Sequence, residues 1–441
     1  MNVKHYLAGS ALLFSSAVWA QANNVEFEEY DLDNGLHVIL HEDHTTPIVA
    51  VTVMYHVGSK NENPERTGMA HFFEHLLFEG SENIGRGEFD KYIENAGGTL
   101  NANTSNDRTF YYEVLPSNQL ELGLWLESER MLHAKVEEIG IETQREVVKE
   151  EKRQRMDNQP YGSVLTETMK RAYKVHPYRW PTIGSMEHLN SATFEEFMDF
   201  YKTFYVPNNA VLSIAGDIDI VETKKMIEAY FGDIPKGEKA IPRPDVEEPV
   251  QEKEIRDTIF DNIQLPAVIQ AYHIPAQGTA DYYAVDMLAT LLSGGESSRL
   301  HKRLVDQEQL ALAAFAVPLS LEDPGVNLNY VICNSDAAPD KVEEVLNEEV
   351  NKVKTELIDE RELQKLKNQV EAQFVSGNAR VVGIAENLAN YHMYFGDANL
   401  INTEIEKYLA VTAEDIQRVA KKYFDKNNRV VLYYLPKSQA N

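Results

Sequence analysis

The sequence predicts an α+β fold of two homologous domains, each a mostly antiparallel sheet packed with helices. The first observation is an internal repeat: Thr193 recurs as Thr412 and the asparagine pair at 208–209 recurs at 427–428, a constant offset of 219 residues. The second is a Pro-rich linker between the copies. The third is the order of patterns in each half, where strand-like runs precede helices, a hairpin and a last strand. Two repeats of this length indicate duplicated domains rather than a solenoid of short units.

Each copy of the repeat has the pattern of an amphipathic helix, an Asn-rich turn and a closing apolar strand. An earlier strand-like run at 47–57 is echoed at 266–274, and both runs begin with proline. Between the copies, residues 235–254 are rich in proline and charge and have no apolar period, which predicts an extended, semi-rigid linker. We therefore expect one domain at 23–234 and the other at 255–441.

The chain begins with the pattern of an exported bacterial protein. Lys4 and His5 form a short basic start, residues 6–19 are largely apolar, and Ala20-Gln21-Ala22 offers small residues for cleavage. A membrane anchor is the alternative, but the apolar stretch is shorter than the roughly 20 residues that a span requires. We expect a cleaved signal peptide at 1–22, a periplasmic location and no membrane-spanning segment.

Charge and cysteine content exclude several classes of function. The chain has 42 basic and 70 acidic residues, for a formal net charge of −28, which argues against nucleic acid or an anionic membrane as partner. Cys333 is the single cysteine, so no disulfide can form within the chain. It lies in a strand-like apolar run and is expected to be a small buried residue rather than a nucleophile.

The strongest chemical motif is His71-Phe72-Phe73-Glu74-His75, inside an apolar run that predicts a buried helix. Residues four apart share one helix face, so His71 and His75 can bind the same metal ion. Glu74 lies close enough to reach a metal-bound water without being a ligand. The order His-x-x-Glu-His is the signature of inverzincin peptidases. The competing interpretation is a chance pair of core histidines, each satisfied by a backbone hydrogen bond.

A catalytic zinc usually has three protein ligands and one open position, so a third ligand is needed. The charged helical stretch at 141–155 is the best candidate region, although by default its acidic residues form a solvated face. Spacing alone does not choose among Glu146, Glu150 and Glu151. Helical phase favours Glu151, which shares the least charged side of the helix with Gln144 and the two valines at 147–148.

Taken together, these motifs resemble the pitrilysin/insulinase family of zinc metallopeptidases, in the short two-domain form that is similar to mitochondrial processing peptidase subunits. The resemblance covers the mature chain and includes 97–104, 176–178, 204–210 and 216–217. It implies one Zn²⁺ per chain, held by His71, His75 and Glu151. The family often carries a second glutamate where this chain has Gln144, so an uncharged amide is expected in the outer shell of the site.

The resemblance implies a zinc-dependent endopeptidase for extended peptides or small unfolded proteins. Glu74 would act as general base on a water whose pKa the metal lowers to about 7. Residues 99–105 and 109–115 have the pattern of a hairpin. In the family, the first strand accepts the substrate as an added strand, which implies contacts at Asn101, Ala102, Asn103 and Thr104. An ordinary polar edge strand is the alternative.

One departure from the family pattern predicts a partner. The family usually presents an Arg and a Tyr from its second half to the substrate backbone, and the matching positions here are Val305 and Leu312. Apolar side chains cannot donate hydrogen bonds to a developing oxyanion. We therefore expect a heterodimer with a paralogous chain that carries the pair, with a homodimer second. An inactive or scaffold subunit and a zinc hydrolase of non-peptide substrates are the alternative functions.

Overall fold

The computed structural model describes residues 24–439, so the signal peptide predicted at 1–22 lies outside the described residues. Two sheets form the centres of the two halves. Among residues 24–439, no helix is long and apolar enough to cross a membrane.

The first sheet has the strand order β1-β2-β6-β3-β5-β4, and only its β2–β6 pair is parallel. Its strands are β1 Glu28–Asp31, β2 His37–Glu42, β3 Ile48–Tyr55, β4 Thr99–Thr104, β5 Thr109–Pro116 and β6 Ala210–Gly216. The second sheet has the order β7-β11-β8-β10-β9, with only β7–β11 parallel. Its strands are β7 Ile255–Asp261, β8 Ala267–His273, β9 Ala311–Leu319, β10 Val326–Cys333 and β11 Arg429–Pro436. The predicted fold class is confirmed.

Helices pack on both sheets. Those of the first half are α1 Met69–Leu76, α2 Phe89–Asn95, α3 Leu120–Leu132, α4 Glu138–Lys152, α5 Val164–Ala172, α6 Met186–Ser191, α7 Phe194–Phe204 and α8 Ile220–Phe231. Those of the second half are α9 Tyr282–Ser293, α10 Pro339–Thr355, α11 Glu360–Gly377, α12 Val381–Phe395, α13 Leu400–Leu409 and α14 Ala413–Tyr423. No regular element lies between α8 and β7 among the described residues, and the domain limits at 23–234 and 255–441 stay predictions.

The internal repeat has the same local chemistry in both halves. Thr193 caps α7 and Thr412 caps α14, each in a reciprocal capping box with the acidic residue three positions later. After each helix, the side-chain amide of Asn209 or Asn428 donates to the carbonyl of the residue five positions earlier. The strand that follows then joins the middle of its sheet. Equal sequence patterns thus produce equal helix–turn–strand units.

The two halves exchange one helix each. α5 of the first half packs on the second sheet, where Val164 and Met169 join a core with Ile269 and Leu432. α12 of the second half packs on the first sheet, where Leu388 joins a core with residues of β2, β3 and β6. An amphipathic pattern does not specify which sheet a helix covers, so the sequence did not predict this exchange. As a result, both halves contribute walls to one cavity.

Candidate active site

Buried ionisable side chains hydrogen-bond to both ends of α1, the helix that carries the His-x-x-Glu-His motif. Before its first turn, the Glu62 carboxylate accepts the backbone N–H groups of Gly68 and Ala70 at 2.8 and 2.9 Å. Burial raises the pKa of Glu62 to about 8. After the last turn, the Arg130 guanidinium donates to the Leu77 carbonyl at 3.0 Å. These contacts satisfy backbone groups that a helix leaves unpaired at its ends.

The structure brings His71, His75 and Glu151 together. The Nε2 atoms of His71 and His75 lie 3.5 and 3.2 Å from Oε2 of Glu151, which comes from the last turn of α4. One ligand atom from each residue lies within 4.8 Å of the other two. Two imidazole nitrogens and one carboxylate oxygen are the donor set of a catalytic zinc site, and such a site keeps a fourth position open.

The phase of α4 explains why Glu151 is the acidic residue at this point. The side chain of Glu151 is 14% exposed, whereas those of Glu146 and Glu150 are 66% and 53% exposed. Glu146 pairs with Lys149 and Glu150 pairs with Arg153, both on the solvent side. The structure therefore places Glu151 beside the two histidines and directs the other two candidates away.

The protonation states of His71 and Glu151 suit metal binding. Burial and the neighbouring His75 lower the pKa of His71 to about 4, which leaves a ring nitrogen free of its proton at neutral pH. The hydrogen bond with His75 holds the pKa of Glu151 below its usual value, so that carboxylate is ionised. Deprotonated ligands are what a divalent metal ion requires.

Glu74 lies beside this trio but outside it. Burial raises the pKa of Glu74, and its Oε2 accepts a hydrogen bond of 2.6 Å from the Thr104 hydroxyl, which counteracts part of that rise. A carboxylate with a raised pKa, facing a cavity next to a metal-type donor set, has the properties of a general base. Thr104, predicted to contact the substrate as part of a strand, therefore also contacts Glu74 through its side chain.

The strand β4 is the edge of the first sheet, and its residues Asn101, Ala102, Asn103 and Thr104 line the cavity. Ser105 N–H donates to the Arg108 carbonyl at 2.8 Å, which sets the alternation of the hairpin ladder. By that alternation the backbone groups of Ala102 and Thr104 face the open edge. The N–H of Ala102 donates to the side-chain oxygen of Asn101 at 2.9 Å.

Gln144 does not reach the metal-type trio through its hydrogen bonds. Its side-chain amide donates to Glu79, and it lines a smaller recess of about 500 Å³ that it shares with His75 and Asn101. The outer-shell role predicted for Gln144 therefore rests on its position two turns before Glu151, since no hydrogen bond joins the two side chains among the described residues.

A cavity of about 1040 Å³ surrounds the trio and draws its walls from both halves. Sequence reasoning missed several of these wall residues: Arg155, Met156, Leu165, Met169, Tyr178, the segment 180–183 and the segment 318–321. The position of Arg155 could have been predicted, because residues four apart on a helix are neighbours and Arg155 follows Glu151 by four. In the structure the two side chains pair at 2.6 Å. No sequence pattern predicted that residues 318–321 of the second half line the cavity, because only folding brings the end of β9 to this place.

The two positions where the family carries its Arg and Tyr lie elsewhere. Val305 belongs to a π-helical segment at His301–Gln307 and packs against the core of the second half. Leu312 lies on β9 and is 61% exposed. Neither residue lines the cavity around His71, His75 and Glu151 among the residues that the structure describes.

Comparison with known proteins identifies a family and several relatives of this chain. Residues 37–185 match the model of the insulinase family (peptidase family M16), and residues 191–370 match the model of the M16 peptidase inactive domain. The protein named Zinc protease PqqE of Helicobacter pylori is 32% identical over 441 residues, which is 99% of each chain. An uncharacterized zinc protease of Rickettsia felis is 27% identical and covers 89% of this chain and 94% of its own length.

Solved structures give the same answer for the fold. A crystal structure of a protease from Helicobacter pylori matches with a TM-score of 0.89 and 31% identity, covering 93% of this chain and 100% of that one. The periplasmic protease PqqL of Escherichia coli matches with a TM-score of 0.76 and 19% identity, over 94% of this chain and 48% of that one. The chain belongs to the M16 family of peptidases, which confirms the resemblance to the pitrilysin/insulinase family.

We predict that Thr104→Val raises the pKa of Glu74 further, because the substitution removes the hydroxyl that donates to its carboxylate. Titration of the Glu74 carboxyl by ¹³C NMR in the metal-free protein measures the shift. Thr104→Ser keeps the donor and serves as the control. An unchanged pKa in Thr104→Val would mean that this hydrogen bond does not govern the protonation of Glu74.

Proposed function

We propose that this protein is a zinc-dependent endopeptidase that hydrolyses extended peptides or small unfolded proteins. The observation that carries the proposal is the convergence of His71, His75 and Glu151 beside Glu74 in one open cavity. Both relatives described above are named zinc proteases, which supports zinc as the metal.

His71, His75 and Glu151 would hold the zinc ion, which supplies Lewis-acid chemistry at its open coordination position. Glu74 is placed to accept a proton from the attacking water and to return it to the nitrogen of the leaving amine. The Thr104 hydroxyl holds the carboxylate in position during both transfers. A raised pKa brings Glu74 closer to the value at which it can both take and give a proton near neutral pH.

The open edge of β4 supports an extended peptide as substrate. A chain that pairs with the outward backbone groups of Ala102 and Thr104 would run past Glu74, because Thr104 contacts that residue directly. Main-chain pairing carries little side-chain information, so this mode of binding is compatible with many peptide sequences.

We predict that Glu74→Gln lowers peptide turnover by about 10²- to 10⁴-fold, because the amide cannot accept the proton. Zinc content stays at the wild-type level, since Glu74 lies outside the ligand trio. A quenched fluorescent peptide with a matched elemental analysis measures both quantities. Wild-type protein treated with a chelator loses activity and recovers it when zinc is restored. Activity that survives in Glu74→Gln would exclude the proposed mechanism.

We predict that Glu151→Ala sharply lowers zinc occupancy, whereas Glu146→Ala and Glu150→Ala leave it near wild type. The two control residues carry the same charge on the same helix, but their side chains face solvent. Elemental analysis after dialysis against a weak chelator gives the occupancies. Loss of zinc from Glu150→Ala, with zinc retained in Glu151→Ala, would show that the third ligand is Glu150 and not Glu151.

We also propose that the chain acts in the periplasm as the catalytic half of a heterodimer. The leader pattern at 1–22 supports export, and an N-terminus near residue 23 in protein recovered from the periplasm tests it. Two observations support the partner: Val305 and Leu312 lie outside the cavity, and the same fold occupies 48% of the longer PqqL chain.

We predict that a paralogous chain carrying the Arg and Tyr pair raises peptidase activity by about 10²-fold or more, the usual contribution of an oxyanion donor. The assay compares the isolated chain, the paralogue and their mixture, with light scattering to measure the assembly. If a homodimer hydrolyses peptides at the full rate and the paralogue does not change that rate, this assignment is wrong.

A further inference from the structure

Arg155 lies just beyond α4, in a widened helical turn at the wall of the proposed active site. After Lys152 the helix continues as a π-helical segment at Arg153–Asp157, and such segments occur frequently at functional sites. Arg155 lines the same cavity as the metal-type trio, and it is the only lysine or arginine among the described residues that do so. In a chain with a formal net charge of −28, one cation therefore lies beside the proposed zinc ligands.

The two carboxylate oxygens of Glu151 have different partners. Oε2 lies 3.2 Å from Nε2 of His75 and 3.5 Å from Nε2 of His71. Oε1 lies 2.6 Å from Nη1 of Arg155. In the part of the chain that the structure describes, no other side chain forms an ion pair or a hydrogen bond with this carboxylate. Glu151 thus presents one oxygen to the histidines and the other to a guanidinium.

A carboxylate that binds a metal ion is usually held by an outer partner, which fixes its orientation. Gln144, two turns before Glu151, donates its side-chain amide to Glu79 instead. Arg155 follows Glu151 by four residues, so the two side chains are neighbours on the helix surface. The contact at Oε1 therefore gives Glu151 the outer partner that Gln144 does not supply.

The exposure of the two side chains separates the orientation of Glu151 from the stability of the fold. The Glu151 side chain is 14% exposed, whereas the Arg155 side chain is 76% exposed. An ion pair whose cation lies largely in water contributes little to folding. Replacing Arg155 is therefore expected to change the orientation of the carboxylate while the fold stays intact.

We propose that Arg155 is a positioning residue for Glu151: its ion pair at Oε1 leaves Oε2 for the zinc ion and keeps the carboxylate a ligand through one oxygen. This inference rests on the zinc site of the proposed function. One oxygen from Glu151 and one nitrogen from each histidine make three protein ligands, which leaves a fourth position open for water. Without the guanidinium, Oε1 is free to bind the same ion and to occupy that position.

We expect Arg155→Gln to weaken zinc binding by about 10- to 100-fold, the usual effect of losing an outer partner of a metal ligand. The metal-free full chain is titrated with Zn²⁺ in competition with a chromophoric chelator. Arg155→Lys keeps a positive charge that can pair with one oxygen, so it retains most of the affinity. Arg153→Gln is the matched control, because Arg153 belongs to the same π-helical segment but pairs with the exposed Glu150.

Cobalt substitution reports the coordination itself and requires no peptide hydrolysis. Four-coordinate Co²⁺ absorbs visible light more strongly than five-coordinate Co²⁺, so binding through both oxygens of Glu151 weakens the visible bands. We expect weaker bands in Arg155→Gln and wild-type bands in Arg155→Lys and Arg153→Gln. The metal-free Arg155→Gln chain is expected to unfold at the wild-type temperature, because the guanidinium lies largely in water.

Equal zinc affinity and equal cobalt spectra in Arg155→Gln and in the wild-type chain would overturn this inference and leave the proposed function standing. Equal losses in Arg155→Gln and Arg153→Gln would also overturn it, because the effect would then be one of net charge. A wild-type chain that binds no zinc would overturn the proposed function, and this inference with it.

Discussion

The structure depends on a buried charge network that fixes the helix α1. The Arg130 side chain is 0% exposed, pairs with Glu127 and Glu113 at 3.0 and 3.3 Å, and lies 4.3 to 4.5 Å from the centroids of three aromatic rings. The same guanidinium binds the carbonyl at the end of α1. Removing one member of a buried ion pair costs about 3–5 kcal/mol, so these groups stabilise one position of the helix as long as all are present. Because His71 and His75 lie on α1, the position of this helix determines where the two imidazole rings are.

A second network aligns the two halves around the cavity. Lys60, 4% exposed, contacts Asp107 at 3.0 Å and Asp323 at 3.3 Å, and it also pairs with Glu322. Asp107 lies in the turn after β4, whereas the two other acidic residues follow β9. The contacts therefore join the proposed peptide-binding edge to the segment 318–321 that forms the opposite wall. Together with the exchange of α5 and α12, they make the cavity a product of both halves.

Periodicity and repetition predicted the fold class because both act over short stretches of chain. A capping box, an Asn turn and an apolar strand are each set by a few neighbouring residues, so their recurrence at 193–212 and 412–431 was visible in the sequence. The exchange of α5 and α12 was not visible. The apolar face of a helix predicts that the helix packs against another element. Which of two similar sheets it packs against depends on the packing of the whole chain.

For the site, the sequence by itself determined the pairing of His71 with His75 and the placement of Glu74, because helical spacing fixes neighbours one turn apart. Helical phase favoured Glu151 as the third acidic residue for the same reason, and the resemblance to the family assigned it. Only the tertiary structure decided that Thr104 donates to Glu74, that Gln144 turns to Glu79, and that residues 318–321 close the cavity. Those contacts join segments distant in sequence, and their geometry exists only once the two sheets have packed.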